Sequence, residues 1–172
     1  KMLRRLIGED IDLAWQPAGD VDYLIDKMVA AGVQNVRMAF RWITFEPTKG
    51  SWSFGVHDQI VAKLRAKGIE ILGLIGHPPT WAEGGGTPGT TPPVNDSDWQ
   101  DFISQLATHY RGQVANWEIW NEENLFAFWT PVPDAVRYVQ LLKIAFNTIR
   151  SADPNATVVL GGLGNNGTFM GW

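Results

Sequence analysis

The chain has 172 residues, of which 45% are hydrophobic and 19% charged, and its formal net charge is −4. These values are typical of one ordinary globular domain with a sizeable core. The acidic balance gives no reason to expect nucleic acid as a partner, and no apolar run has the length of a membrane span. Cysteine is absent, which excludes disulfides, thiolate metal sites and a cysteine nucleophile.

Apolar residues recur with a period that changes regularly between that of a strand and that of a helix. The pattern predicts a strand around residues 6–11 and then a helix whose apolar stripe covers residues 21–29. A strand at 35–40, a helix that contains Ile60, Val61 and Leu64, and a buried strand at 69–75 follow. The last predicted elements are a helix over 99–110, a strand at 114–120, a helix over 133–149 and a strand at 157–160.

Polar residues and glycines place the ends of the predicted helices. Asp20 opens the first helix, and Asp96 or Ser97 caps the third. Pro133 and Asp134 open the fourth. Glycine readily adopts the left-handed conformation that follows a helix. The predicted stops are Gly32, Gly68 and Gly112.

The alternation of strands and helices predicts a parallel sheet with helical crossovers. No glycine-rich phosphate loop follows the first strand, so a dinucleotide-binding fold has no support. The longest connections, at residues 42–57, 76–97 and 121–132, all follow strands, where a (β/α)8 barrel carries its active-site loops. A complete barrel takes roughly 250 residues. Residues 1–172 are therefore predicted to form one partial (β/α)8 domain, the N-terminal portion of a TIM barrel, with about four βα units and a fifth strand.

Residues 117–124 are the most informative part of the chain. The strand here ends at Asn121 and Glu122, and tryptophans flank this pair. A carboxylic acid held at the carboxyl ends of the strands, the edge called the mouth below, suits the hydrolysis of an acetal. The reason is that a poor alkoxide leaving group must be protonated as it departs. Flat apolar faces beside hydrogen-bonding groups suit the binding of a pyranose ring.

Three stretches resemble one superfamily. Residues 36–42 and 45–54 combine an arginine-bearing strand with a Glu-Pro-x-x-Gly-x-aromatic loop, and residues 76–82 contain a Pro-x-Trp-Ala loop. Residues 117–122, followed by Asn124 and Phe128, place an Asn-Glu pair at the end of the fourth strand. Together they resemble the clan A glycoside hydrolases, which are retaining (β/α)8-barrel enzymes, and they are most similar to families 39 and 5.

The resemblance implies roles for several residues. Glu122 would be the general acid/base, and Asn121 would hydrogen-bond the sugar hydroxyl next to the anomeric carbon. In the family, the arginine that matches Arg37 orients the nucleophile. Within this chain Glu118 is the alternative partner, because a guanidinium in an apolar strand needs a carboxylate. His77 is expected at the mouth, bonded to a sugar hydroxyl or to Glu122.

Tryptophans in or beside the strand-end loops are candidate stacking platforms for a sugar ring. They are Trp42, Trp81 and Trp129. Trp99 fits the core stripe of a helix, and Trp15 is undecided between packing and substrate contact. The three histidines have no metal-ligand spacing, so neither a metal nor a cofactor is predicted.

The chain departs from the family at two points. Glu123 stands where the family usually has proline after the Asn-Glu pair, which adds a carboxylate beside the acid/base. The family's nucleophile is a glutamate on the seventh strand, and no such strand is predicted here. Without it, Glu122 could protonate a leaving group, but no glycosyl-enzyme intermediate could form.

The sequence therefore predicts a retaining glycoside hydrolase of a β-linked glycoside or polysaccharide, in which this chain supplies the acid/base half of the active site. Its partners would be the carbohydrate and either a missing C-terminal barrel half or a second copy of the chain. The alternatives are a non-catalytic carbohydrate-binding half-barrel and a structural half-barrel that dimerises to close its sheet. The first residues lack a signal-peptide core, and an extracellular location is the expectation.

Overall fold

The protein folds around one five-stranded parallel sheet. The computed structural model describes residues 8–11 and 13–165. The strands are β1 (Gly8–Asp10), β2 (Asn35–Arg41), β3 (Glu70–Gly76), β4 (Asn116–Ile119) and β5 (Thr157–Leu160). Each strand pairs with the next one along the chain, which is the strand order of a (β/α)8 barrel. The predicted fold class, the N-terminal portion of such a barrel, is confirmed.

Helices connect the strands. They are α1 (Ala18–Ala30), α2 (Trp42–Phe45), α3 (Gly55–Ala66), α4 (Thr80–Glu83), α5 (Asp96–His109) and α6 (Ala135–Ala152), and a 3-10 turn at Leu13–Trp15 follows β1. The four long helices match the sequence prediction. The short α2 and α4 were not predicted, because four residues barely exceed one helical period and carry no readable stripe. Among the described residues, no helix has both the length and the apolarity to cross a bilayer.

The helix ends follow the predicted chemistry with small shifts. Asp134 is the N-cap of α6, and its carboxylate accepts a hydrogen bond of 2.9 Å from the backbone N–H of Arg137. The N-cap of α5 is Asn95, whereas Asp96 or Ser97 was predicted. Asp20 lies in the first turn of α1, which begins after Pro17. The glycines after α1, α3 and α5 all have left-handed φ values, of 77°, 74° and 73°. They are Gly32, Gly68 and Gly112.

The core lies between the sheet and the helices. Along β2 the side chains alternate, with Val36, Met38 and Phe40 buried and the residues between them half-buried. The buried set shares its cluster with apolar residues of α3 and α5, so this is the outer face of the sheet. The opposite, inner face carries Arg37 and Arg41. Charged side chains therefore point to the side where a barrel keeps its interior.

Candidate active site

Strained backbone conformations gather at the mouth. Three non-glycine residues have positive φ among the described residues: His77 (54°), Trp120 (70°) and Glu122 (48°). His77 directly follows β3, and Trp120 and Glu122 are the first and third residues after β4. Such conformations cost roughly 1–3 kcal/mol each and persist where surrounding contacts over-determine them. The backbone N–H of Trp120 is held by the carbonyl of Ile75 at 2.7 Å, which fixes the direction in which the chain leaves β4.

Arg37 joins β2 to the end of β4. Its Nε and Nη2 donate to the two carboxylate oxygens of Glu118 at 2.6 and 3.0 Å, and Nη2 also donates to Oδ1 of Asn121 at 2.8 Å. The Glu118 side chain is only 6% exposed, so the pair is largely removed from water. The structure thus gives Arg37 the carboxylate partner that the sequence offered as the alternative to a nucleophile.

This contact also orients the Asn121 amide. A guanidinium has donors and no acceptor, so the amide oxygen must face Arg37. The amide nitrogen of Asn121 is then left to donate elsewhere, and the half-buried side chain lines a small pocket with His77 and Trp120. An amide fixed in this way can donate to a sugar hydroxyl without first reorienting.

Glu122 is held by its backbone, and its side chain is half-buried. The backbone N–H of Glu122 donates to the carbonyl of Gly162 at 2.9 Å, and the N–H of Gly162 donates to Glu118 at 3.0 Å. Two residues later, Asn124 and Gly164 exchange reciprocal hydrogen bonds of 2.8 and 2.9 Å. The segment after β4 is therefore tied to the segment after β5, and this tie positions the Glu122 carboxyl at the mouth.

Glu123 has the opposite environment. The side chain is fully buried, and neither carboxylate oxygen has a hydrogen-bond partner of ordinary geometry among the described residues. Burial raises the pKa of Glu123 to about 7. Its own N–H and the Tyr138 hydroxyl oppose this rise, and the charge of Glu118 adds to it. The Tyr138 hydroxyl itself donates to the Ile119 carbonyl and accepts from the Gly161 N–H, each at 2.9 Å.

His77 lies where the sequence placed it, directly after β3. Burial first and the positive charge of Arg41 second lower its pKa to about 4, so the ring is neutral at pH 7. Its Nδ1 is buried and has no hydrogen-bond partner among the described residues. A neutral imidazole with one nitrogen unsatisfied can accept from or donate to a ligand hydroxyl in the pocket that it shares with Asn121.

The structure corrects two of the three predicted stacking platforms. Trp42 is completely buried, and Trp129 is 1% exposed, so no sugar can reach either ring face. Trp42 instead donates to the carboxylate of Glu46 at 2.8 Å, and Trp129 packs on Trp120. Trp81 remains a candidate, because its side chain is half-buried while its Nε1 donates to the carbonyl of Glu46.

Two buried glutamates hold the loops around the site, and sequence reasoning missed both roles. Glu46 accepts from Gly50 N at 2.7 Å in the loop after β2, and Glu83 accepts from Gly89 N at 2.6 Å in the loop after β3. The loop after β3 is joined to the loop after β4, because the N–H of Thr130 donates to the Thr90 carbonyl at 3.1 Å. The spacing of Glu46 from Gly50 was the only available signal.

Apart from Glu122, none of the glutamates whose side chains the structure describes lies open at the mouth. Glu46, Glu83, Glu118 and Glu123 are all buried, and Glu70 begins β3 at the edge opposite the mouth. The described residues also contain no group of three or more acidic, histidine or cysteine side chains that could hold a metal ion. The arrangement can donate a proton and bind hydroxyls.

Comparison with known proteins agrees with this geometry. Residues 6–171 match the family model described as Cellulase (glycosyl hydrolase family 5). An endo-1,4-β-xylanase A from Phanerodontia chrysosporium is 30% identical over 159 residues, which are 89% of this chain and 37% of the xylanase.

Solved structures show the same fold. A family 39 glycoside hydrolase from Bacteroides cellulosilyticus WH2 superposes with a TM-score of 0.72 at 24% identity, over 90% of this chain and 31% of its own. An exo-β-1,4-mannosidase from Opitutaceae bacterium strain TAV5 gives 0.73 at 18% identity, over 92% and 32%. The chain spans about a third of the length of these relatives.

Proposed function

The chain belongs to glycosyl hydrolase family 5, and we propose that it supplies the acid/base half of a retaining glycosidase whose nucleophile lies outside this chain. The observation that carries the proposal is the placement of Glu122 beside an Asn121 amide that Arg37 holds in one orientation. The proposed acid, Glu122, and an amide that can donate to a sugar hydroxyl, that of Asn121, are then neighbours at the mouth.

In the proposed reaction Glu122 first donates its proton to the glycosidic oxygen. A carboxylate from elsewhere attacks the anomeric carbon, the bond to the leaving oxygen breaks, and an alcohol departs. Glu122, now ionised, then takes a proton from water as that water displaces the enzyme carboxylate. Retention requires the two carboxyl groups to be about 5 Å apart. Asn121 would donate to the hydroxyl beside the anomeric carbon as positive charge develops.

A β-linked polysaccharide of the plant cell wall is the proposed substrate class. The curated relative named above is a xylanase, and xylan is therefore the first substrate to test. The neutral His77 and the half-buried Trp81 support a carbohydrate ligand, because they offer hydrogen bonds and an apolar ring at the same edge of the sheet.

An open surface supports the need for a partner. Beyond β5, a groove lined by Leu142, Phe146, Val158 and Leu160 lies on the outer face of the sheet. Phe146 and Leu160 are 50% and 53% exposed, which is unusual for large apolar residues that neighbour one another. Further strands and helices, from a separate chain or from a longer one, would cover this groove.

Rescue by an external nucleophile tests the role of Glu122 in this chain alone. Azide can attack the anomeric carbon of phenyl β-xyloside from the face opposite the leaving group, while the phenol still needs a proton. We expect azide-dependent formation of the α-xylosyl azide, at a rate that falls at least about 100-fold in Glu122→Gln. Glu70→Gln, an exposed glutamate at the far edge of the sheet, is the matched control and should keep the rate.

Two results would contradict the proposal. Equal azide-dependent rates for the unmodified chain and Glu122→Gln would remove Glu122 as the acid. The other is hydrolysis without azide that is lost in Glu122→Gln. It would support Glu122 as the acid but would place the nucleophile within the chain or its assemblies.

A further inference from the structure

Trp15 is exposed to an extent that packing does not explain. It ends the 3-10 turn that follows β1, and 66% of the residue is exposed. Burial of a large aromatic ring stabilises a fold strongly, because it removes a large apolar surface from water. A tryptophan in contact with the core would contribute that stabilisation to folding, and Trp15 does not.

One face of the Trp15 ring is nevertheless covered. The guanidinium carbon of Arg41 lies 4.5 Å from the ring centroid, within the range of a cation–π contact. Since two thirds of the residue stays exposed, the opposite face is open to solvent. The contact orders the indole while leaving a flat apolar surface available, which is the geometry of a platform for a ligand ring.

The pair lies beside the candidate active site. Arg41 is the last residue of β2 and pairs with Gly76, directly before His77. The Ile43 N–H donates to the His77 carbonyl at 3.0 Å, which joins the two strand ends at this point. His77 in turn shares its pocket with Asn121. Successive strand ends from β1 to β4 thus contribute Trp15, Arg41, His77 and Asn121 to one row along the mouth.

We propose that Trp15 and Arg41 form a binding subsite for a sugar unit of a β-linked polysaccharide, remote from the bond that is cleaved. The pyranose ring stacks on the open face of Trp15, and Arg41 holds the indole from the opposite face. The subsite rests on the proposed function, because it extends the same mouth away from Glu122.

The chain provides a matched control for this proposal. Tyr23 is 61% exposed and also has a cation over its ring, since Lys27 Nζ lies 5.1 Å from the centroid. Both residues lie on α1, away from the strand ends. If any exposed aromatic ring beside a cation bound oligosaccharides, Tyr23 would bind them as well as Trp15.

Titration with xylohexaose and cellohexaose, followed by NMR of the indole N–H groups, tests the subsite without requiring turnover. We expect at least one of the two sugars to shift the Trp15 indole resonance, which Trp15→Phe identifies by its loss. Trp15→Ala should weaken that sugar's binding about tenfold, Trp15→Phe should retain most of the affinity, and Tyr23→Ala should leave it unchanged. Circular dichroism checks that each variant is folded.

Two outcomes would overturn the subsite: neither sugar binds the unmodified chain, or Trp15→Ala binds as tightly as that chain. These outcomes are separable from the fate of the proposed catalytic role. Glu122→Gln should keep the Trp15-dependent binding although it loses azide-dependent turnover. Trp15-dependent binding without azide-dependent turnover would support the subsite and contradict the proposed catalytic role of the chain.

Discussion

Glu122 and Glu123 are neighbours in the chain but have opposite environments. Glu122 has a left-handed backbone and a half-exposed carboxyl at the mouth, whereas Glu123 turns inward beneath the ends of β4 and β5. A buried carboxyl favours its neutral form because ionisation there loses hydration. The residue that departs from the family pattern is therefore also a titrating group beside the acid/base.

Glu123 should make stability depend on pH. Its folded pKa of about 7 lies above the value near 4.3 expected when it is unfolded, so between these values the folded state binds the extra proton. The cost of burying the ionised Glu123 carboxylate is absent below about pH 4 and complete above about pH 7. The free energy of unfolding falls between these values by about 3–4 kcal/mol. Glu123→Gln removes this fall.

Urea unfolding at pH 5 and pH 8 measures this effect. From pH 5 to pH 8, the free energy of unfolding of Glu123→Gln should rise relative to that of the unmodified chain. Glu70→Gln, at an exposed position, should give no such change. Parallel pH profiles for the chain and Glu123→Gln would show that the Glu123 carboxyl is solvated.

The ion pair between Arg37 and Glu118 should matter for stability mainly because the Glu118 carboxylate is buried. Arg37→Met leaves the Glu118 carboxylate, 6% exposed, without its bidentate donor, and we expect a loss of about 3 kcal/mol in the free energy of unfolding. Adding Glu118→Leu should recover part of it, because the unpaired charge is then gone. A double-mutant cycle by urea unfolding measures the coupling, and strictly additive losses would contradict the pairing.

At the scale of elements, the packing of β3 against β4 depends on a glycine, because the Trp117 ring occupies the space that a side chain at position 73 would need. A Cβ on Gly73 would lie 2.6 Å from the ring of Trp117 and 3.2 Å from that of Phe40. Both rings are fully buried, so neither can move aside at low cost. Gly73 therefore sets how closely the large outer-face rings approach the centre of the sheet.

Gly73→Ala should destabilise the protein by about 1–3 kcal/mol through overpacking. Gly19→Ala is the matched control, because that glycine lies in α1 and a Cβ there meets nothing within 4 Å. It should gain up to about 1 kcal/mol, since alanine favours a helix. Thermal unfolding compares the two variants, and a neutral Gly73→Ala would show that the Trp117 ring can repack.

Periodicity predicted β2, β3, β4 and the four long helices because each carries several buried residues. The side chains of β5 are half-buried or exposed, and its apolar run predicted it. β5 has the predicted bounds of residues 157–160. The pairing of Arg37 with Glu118 was foreseen as one of two alternatives. The burial of Trp42 and Trp129 was not, because loop residues carry no period from which exposure can be read. The same reason left Trp15 undecided and hid the inward turn of Glu123.

At the scale of the whole molecule, the sheet remains open within the described residues. β1 pairs only with β2, and β5 only with β4. The outer groove next to β5 presents Phe146 and Leu160 to solvent. Unpaired strand edges and a contiguous apolar surface both favour association.

The isolated chain should therefore not be a monodisperse monomer at micromolar concentration. Light scattering coupled to size exclusion should give a molar mass above that of one chain, and Phe146→Ser with Leu160→Ser should shift it toward the monomer. Val136→Ser is the control, because Val136 is 71% exposed on α6 but does not line the groove. A cooperatively melting monomer would contradict this prediction.

The agreement of strand order with chain order has a consequence for biosynthesis. Each strand emerges from the ribosome after the strand with which it pairs, so the sheet can grow by one hydrogen-bonded neighbour at a time during translation. Pairing only between successive strands avoids the longest loop closures that a parallel sheet could require. The groove beside β5 stays exposed in this order of assembly until a further element or another chain packs against it.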